Sequence, residues 1–411
     1  MTICPVGSGL AFRCARSAIP WDTTRYALER GGLFDGPAET ATLGPHTNDN
    51  RASSALSDSG AQVVIITGGS SGIGRCTAAV FARYGWRVGL IARGAEGLAA
   101  SHRDVEALGA RAAFAQADVT DSGELFDAAN TIVAALGPID LWINCAGNGV
   151  YGRFADVPET DFRRVTDVTY HGTVNGTRVA LAHMRPRGAG TIINVCSAVV
   201  FHGLPLMSSY AGAKAAVRGF SQALQGELKM ERSRIRVSTV FPPAANTPFF
   251  SHAISYMGWP ARPAWPVYQP EVVAQGIWQA YVGQRREMTI SGTAAAFSLA
   301  SRIFPGLIAW CMARMGIERQ MTKDPDACQL QEPALFEPCH RVFGIHGPFG
   351  RGARTWSTQL WLERTVTAML LLFTPRRRHR ATRQDLRSPS IRGPAKPDRA
   401  LADLAARAGD S

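Results

Sequence analysis

A doubly wound α/β fold built on a parallel sheet is what this 411-residue sequence predicts. Three observations carry that expectation. From Gln62 onward, short apolar runs alternate with longer amphipathic stretches, the order that produces parallel strands joined by crossover helices. The runs are dense in β-branched residues, as in Gln62-Val63-Val64-Ile65-Ile66-Thr67, which is the pattern of strands covered on both faces. Directly after that first run stands a glycine cluster, Thr67-Gly68-Gly69-Ser70-Ser71-Gly72-Ile73-Gly74, where a strand must turn sharply into a helix.

Residues 1–60 are rich in Gly, Ser, Thr and Ala and lack periodicity, so they are expected to be a disordered leader without a core of its own. Strands are expected at 62–67, 86–91, 112–117, 141–145, 191–196 and 235–241, with a last one at 288–290 completing seven. Amphipathic helices lie between them, 77–84 and 124–136 among them. Residues 61–292 therefore form one α/β domain. Residues 293–375 read as a helical and loop-rich extension: a helix over 294–315 interrupted at Pro305-Gly306, a loop-rich stretch over 324–352 that includes Gly344-Ile345-His346-Gly347-Pro348-Phe349-Gly350, and a helix over 355–373. Residues 376–411 read as a basic, disordered tail.

The net charge of +12 is concentrated in that tail, where ten Arg and Lys stand against four Asp. Six of the twelve excess charges thus lie outside the predicted folded region, and the balance implies no specific nucleic-acid partner. Eight cysteines are scattered with no CxxC pair, the usage of small buried side chains in a reducing compartment. Cys339, His340 and His346 fit no ligand spacing, so no metal is expected. The N-terminus lacks a charged segment followed by an apolar run, so a secretory signal is not expected. No stretch reaches the roughly 18–20 apolar residues of a membrane span. The shorter runs at 288–301, 303–313 and 365–373 are expected to pack on the core, with peripheral membrane contact through the C-terminal region as the alternative. The expected location is the cytoplasm, with or without that contact.

Glycines at the strand–helix turn let a pyrophosphate approach the backbone, and the following helix aims its N–H groups at it. Gly68, Ser70, Ser71, Gly72, Ile73 and Gly74 are therefore candidate dinucleotide-binding residues. The second predicted strand ends Leu90-Ile91-Ala92-Arg93, with no carboxylate to repel a 2′-phosphate. Arg93 can instead pair with one, so NADP(H) is expected over NAD(H). Further along, Ser208-Ser209-Tyr210-Ala211-Gly212-Ala213-Lys214 places a phenol and an ammonium four residues apart. On a helix they share a face, with only small side chains between them. An ammonium near a phenol favours the phenolate and lowers a pKa that is ordinarily about 10.

These motifs together resemble the short-chain dehydrogenase/reductase family. The glycine turn matches TGxxxGIG; Asn144-Cys145-Ala146-Gly147 after the fourth predicted strand matches NxAG; Ser197 precedes Tyr210 by 13 residues; Tyr210 and Lys214 match YxxxK. The resemblance spans residues 62–292 and implies a Rossmann sheet and hydride transfer. It implies that Tyr210 is the general acid or base at the substrate oxygen, that Ser197 polarises the carbonyl, and that Lys214 also holds the nicotinamide ribose. By the same resemblance Asp118 and Val119 contact the adenine, Asn144, Ala146 and Gly147 flank the cofactor, and Pro243 and Thr247 contact the carboxamide. Two departures stand out. Thr169 occupies the place of the family's relay asparagine, and Pro242-Pro243 replaces the usual Pro-Gly.

Between Thr247 and Glu271, where the resemblance places a substrate lid, stand Phe249, Phe250, Tyr256, Met257, Trp259, Trp265 and Tyr268 with few charges. An apolar pocket and a hydrophobic alcohol or ketone follow; packing of these aromatics on the extension or on another subunit is the competing reading. The expectation is an NADP(H)-dependent oxidoreductase interconverting a hydrophobic ketone or aldehyde with its alcohol, acting as a homodimer or homotetramer. The alternative is a nucleotide-binding scaffold or sensor without turnover, its tail docking on membrane or nucleic acid.

Overall fold

Strands buried on both faces need apolar residues pointing each way, and the first strand shows how this chain supplies them. The computed structural model describes residues 60–363, apart from 316 and 317, together with 365. In β1 (Val63–Thr67) every residue is buried. Val64 and Ile66 join a core on one side of the sheet, and Val63 and Ile65 join a second core on the other. The period-two geometry of a strand divides one continuous apolar run between two layers.

The strands that follow are β2 (Arg87–Ala92), β3 (Ala112–Gln116), β4 (Leu141–Asn144), β5 (Val150–Tyr151), β6 (Ala189–Val195), β7 (Arg234–Phe241), β8 (Ile254–Ser255) and β9 (Glu287–Thr289). Seven of them form one sheet in the order β3-β2-β1-β4-β6-β7-β9, every pairing parallel. The expected doubly wound fold is present, and each of its seven strands lies within a few residues of the predicted place. β5 and β8 pair separately and tie the loop after β4 to the lid region.

The helices are α1 (Gly72–Arg83), α2 (Ala95–Ala107), α3 (Ser122–Leu136), α4 (Glu159–Thr166), α5 (Gly172–Met184), α6 (Ser208–Met230), α7 (Phe249–His252), α8 (Pro270–Val282), α9 (Gly292–Ile303), α10 (Pro305–Met315) and α11 (Pro325–Gln329). α1 and α8 bury Phe81, Val273 and Ile277 on one side of the sheet. α3, α5 and α6 bury Ile132, Ala180 and Leu228 on the other. The chain winds one way from β1 to β2 and the other way to β4, so the carboxyl ends of β1 and β4 flank the switch point, where such sheets open a crevice. Thr67 and Asn144, the last residues of those strands, are partners in register.

Beyond β9 the chain returns to the sheet instead of standing apart. Leu335 packs with Val150 and Val165, and Ile345 and Leu360 enter the core that contains β1. The Gly344–Gly350 stretch, which has no visible chemistry as sequence, fastens onto the loop after β7 and the helix that follows it: Phe349 N–H donates to Asn246 Oδ1 at 2.9 Å, and His346 meets Glu271 in the first turn of α8 at 2.8 Å. A Cβ at Gly347 would stand 2.4 Å from the Thr247 carbonyl, so only glycine permits that approach. Among the described residues no single helix is long and apolar enough to cross a membrane. The predicted leader, most of the 365–373 run and the basic tail lie outside the described residues.

Candidate active site

The glycine turn sits at the switch point because its glycines let three backbone segments meet there. Gly68 has φ +69° and its Cα lies against the end of β4: a Cβ there would be 2.8 Å from the Ala146 backbone. A Cβ on Gly74 would be 2.1 Å from the Gly68 carbonyl oxygen, which closes α1 onto the turn. Thr67 Oγ1 accepts from the Cys145 and Ala146 amides at 3.2 and 3.3 Å. One cleft of about 450 Å³ opens in front of this turn, and Gly68, Ser70, Ser71, Gly72, Ile73 and Gly74 all line it. Ala146, Gly147, Val119, Pro243 and Thr247 line it as well. Asn144 is placed differently. Its amide donates to Thr177 Oγ1 and Asn194 Oδ1 and its oxygen accepts from Trp142 Nε1 at 2.7 Å, so the side chain locks β4 to β6 and α5 beneath the cleft floor.

Ser197, Tyr210 and Lys214 line the same cleft. Ser197 follows β6 and is fixed by a short turn, its Oγ accepting from the Val199 amide, while the next amide, of Ala198, is tied to the Pro242 carbonyl after β7. Tyr210 and Lys214 stand in the first two turns of α6. Lys214 is buried, its Nζ donates to the Val195 carbonyl at 2.7 Å, and it lies 5.7 Å from the Tyr210 ring centre. The shared helix face therefore does bring the two together. The electrostatics differ from the sequence expectation, however. Burial drives the Tyr210 pKa up and the nearby Cys196 thiol adds to it, a hydrogen bond with Ser197 working the other way. Lys214 stands over the ring and donates a hydrogen bond to the Val195 carbonyl; burial lowers its own pKa. The Cys145 and Cys196 thiols, pushed up by burial to about 12 and about 11, are neutral neighbours.

Thr169 occupies a one-turn π-helix, Asp167–His171, between α4 and α5, a distortion often found at functional sites. It is fully buried and its hydroxyl donates to the Asn148 carbonyl at 3.4 Å, while its own carbonyl is taken by the Thr173 hydroxyl at 2.8 Å. Thr169 Oγ1 and Lys214 Nζ both approach the point where a Cβ on Gly147 would stand, at 3.8 and 3.7 Å. Sequence periodicity gives no sign of this π-turn.

At the adenosine end, Arg93 faces the cleft but is already engaged. Its guanidinium donates to the carbonyls of Ala334 at 2.6 Å and of Phe336 and stands 3.9 Å from Asp118 Oδ2. Burial lowers its pKa, with Asp118 opposing. Burial acts to raise the Asp118 pKa, but the Thr120 amide, the Arg164 guanidinium and the Thr120 hydroxyl outweigh it and hold the carboxyl below its ordinary value. The segment 334–339 is thus a wall of the cleft, with Ala334, Pro338 and Cys339 on its lining.

The opposite end is apolar. Of the lid aromatics, Phe249, Phe250 and Trp265 line it. The others serve packing: Tyr256 donates to Asp161 at 2.8 Å, Trp259 carries Lys323 over its ring, and the Tyr268 hydroxyl meets Thr293. Tyr151, Leu204, Met207, Phe297 of α9 and Met312 of α10 line the cleft as well, with Thr293 and Gln320 as polar neighbours. Phe297 and Met312 have no motif around them; only the return of the extension onto the sheet puts them there. The arrangement joins a dinucleotide-sized cradle, a phenol with a hydroxyl beside it, and an apolar compartment.

The chain as a whole resembles known proteins. Residues 62–255 match the family model described as short chain dehydrogenase. The chain is 34% identical over 278 residues to the uncharacterized oxidoreductase YxnA of Bacillus subtilis, covering 67% of this chain and 78% of that one. It is 33% identical to the 3-ketodihydrosphingosine reductase of Bos taurus over 46% of this chain and 58% of the relative, so little more than half of that protein is matched. Among solved structures, a short-chain dehydrogenase from Streptomyces avermitilis superposes with TM-score 0.52 at 26% identity, over 62% of this chain and 99% of that one. One from Burkholderia phymatum, in complex with NAD, superposes with TM-score 0.54 at 21% identity over 65% and 98% and supports the fold.

Proposed function

Because the chain belongs to the short-chain dehydrogenase/reductase family, we propose that it is an NADP(H)-dependent reductase of hydrophobic ketones or aldehydes. The observation that carries this reading is the convergence of Ser197, Tyr210 and Lys214 on one cleft with the glycine turn. The residues fit a nicotinamide dinucleotide: the turn approaches the cleft through glycines, and the first turn of α1 carries no acid to repel a phosphate. When bound, that cofactor supplies the hydride to the carbonyl carbon.

This chain's own residues handle the oxygen. The Ser197 hydroxyl donates a hydrogen bond to the carbonyl, drawing electron density towards it. The Tyr210 hydroxyl then gives its proton to the same oxygen as the carbon–hydrogen bond forms, leaving alcohol and phenolate. Burial raises the Tyr210 pKa, so the phenol carries its proton before the transfer. The Lys214 ammonium over the ring stabilises the phenolate until it is reprotonated. Arg93 faces the cleft directly after β2, a strand that ends without a carboxylate of its own, which supports NADP(H) over NAD(H). The apolar lining by Phe249, Phe250 and Met207 supports a hydrophobic substrate, as does the name of the bovine relative.

The test is a fluorescence titration with NADPH and NADH followed by turnover on a panel of aliphatic and aromatic ketones, read at the nicotinamide absorbance. Tighter NADPH binding and turnover of the apolar ketones are expected. Cofactor binding with no turnover on any of them would favour a scaffold or sensor; no binding of either dinucleotide would remove both readings.

A further inference from the structure

The wall that closes the apolar end of the cleft has an outer side, and that side is bare. α9 and α10 are bent against each other by 116° at Pro305. Phe297 and Met312 turn inward to the cleft, whereas Leu299, Ile303, Phe304, Leu307 and Trp310 are 55–59% exposed. Every residue from 302 to 307 is exposed, and all but Arg302 are apolar. A soluble monomer seldom shows so much contiguous apolar surface without a partner for it.

Three features say what the partner is. The sequence from Met288 to Ile317 contains Arg302 and Arg314 and no Asp or Glu, so the only charges on the elbow suit anionic headgroups. Arg314 lies over the Trp310 ring, 4.7 Å from its centre, an amphipathic pair of the type that settles at a membrane–water boundary. The exposed run Ile303-Phe304-Pro305-Gly306-Leu307 carries no side-chain hydrogen-bonding group, which suits a deformable apolar phase better than a protein groove. Twelve helical residues reach about 18 Å, well short of the ~30 Å hydrocarbon core. The elbow therefore dips into one leaflet and does not span.

We propose that the α9–α10 elbow docks this protein on an anionic lipid bilayer and sets the apolar mouth of the cleft against it. The two inner residues of the same helices then form the boundary between the lipid phase and the Tyr210 compartment, so a long-chain ketone passes from bilayer to cleft without crossing water. This delivery step rests on the reductase reading; the docking does not.

The test uses the full chain with bound NADPH and vesicles of phosphatidylcholine with or without phosphatidylglycerol. Flotation is measured at low salt and again at high salt, where attraction of the basic tail is screened. The wild type is expected to float with the anionic vesicles in both. In the double variant Leu307→Asp with Trp310→Asp, the partition coefficient at high salt is expected to fall about tenfold or more, with NADPH binding unchanged as the check on folding. Reduction of methyl decyl ketone embedded in vesicles should fall in parallel, while reduction of cyclohexanone in solution should not. Equal flotation of wild type and variant overturns the proposal, as does a wild type that never floats. Loss of a dimer in the variant without loss of flotation would assign the elbow to a second copy of the chain. A protein that floats through the elbow yet reduces neither ketone leaves docking standing and removes the reductase reading.

Discussion

The two ends of the cleft are built on different principles. The dinucleotide end comes from short contiguous motifs, each at the carboxyl end of a strand: the turn after β1, Arg93 after β2, Asp118 after β3, Ala146 and Gly147 after β4. Its residues act through backbone and charge, and glycine is required wherever two backbones nearly touch. The apolar end comes from side chains far apart in sequence, Tyr151, Met207, Phe250, Phe297 and Met312, that meet only by packing. The first end is a set of positions that the fold dictates. The second is a volume, and many sequences can enclose a similar one.

If the reactive centre belongs to the first end, Tyr210→Phe should have the largest effect of any single change. A reductive kcat about 10³-fold lower is expected, with NADPH affinity unaltered by fluorescence titration; equal losses in both would mean the ring is a packing element.

Asp118→Asn addresses the charge side of that end. The Asp118 pKa is depressed in the folded protein, so its stabilising contribution is present above the ordinary carboxylate value near 3.9 and is lost as pH falls through the folded value. Urea unfolding at neutral pH should show a loss of about 1.5–3 kcal/mol, the size of hydrogen bonds to a charged group. That difference should shrink as the pH is lowered past the carboxylate range. A difference that stays constant with pH would assign the effect to shape instead of charge.

Arg93→Ala sharpens the comparison, because Arg93 touches both the cleft and the returning extension. About a tenfold loss in NADPH affinity with NADH unchanged is expected, near 1.4 kcal/mol. Equal weakening of both cofactors would mean that the arginine serves only to hold the Ala334–Phe336 carbonyls. The smallest effect is expected at the lid: Tyr256→Phe removes the hydrogen bond to Asp161 and should cost about 1 kcal/mol of stability with kcat unchanged. A fall in kcat would place Tyr256 in the catalytic compartment after all.

The sheet was legible because a strand buried on both faces must be apolar at consecutive positions, and few other elements are. The glycine turn, the Tyr210–Lys214 pair and Ser197 were legible because their geometry is local: one turn of helix or one strand end sets it. Asn144 shows the limit of that reasoning. Its position at the end of β4 placed it beside the cofactor cleft, but the direction of its side chain, into the Trp142, Thr177 and Asn194 network, depends on β6 and α5. The Tyr210 pKa shows a second limit. Proximity to Lys214 follows from spacing, whereas burial, which pushes the phenol the other way, follows from everything packed around it.

By itself, then, the sequence determined the strand order's raw material, the turn that cradles a dinucleotide and the phenol that faces it, because each depends on residues within a few positions of one another. Only the tertiary structure decided that the extension is a wall of the cleft, that Arg93 is shared with it, and that an apolar elbow is left bare at the mouth. Those are contacts between segments hundreds of residues apart, and no local pattern encodes which distant surface a helix will meet.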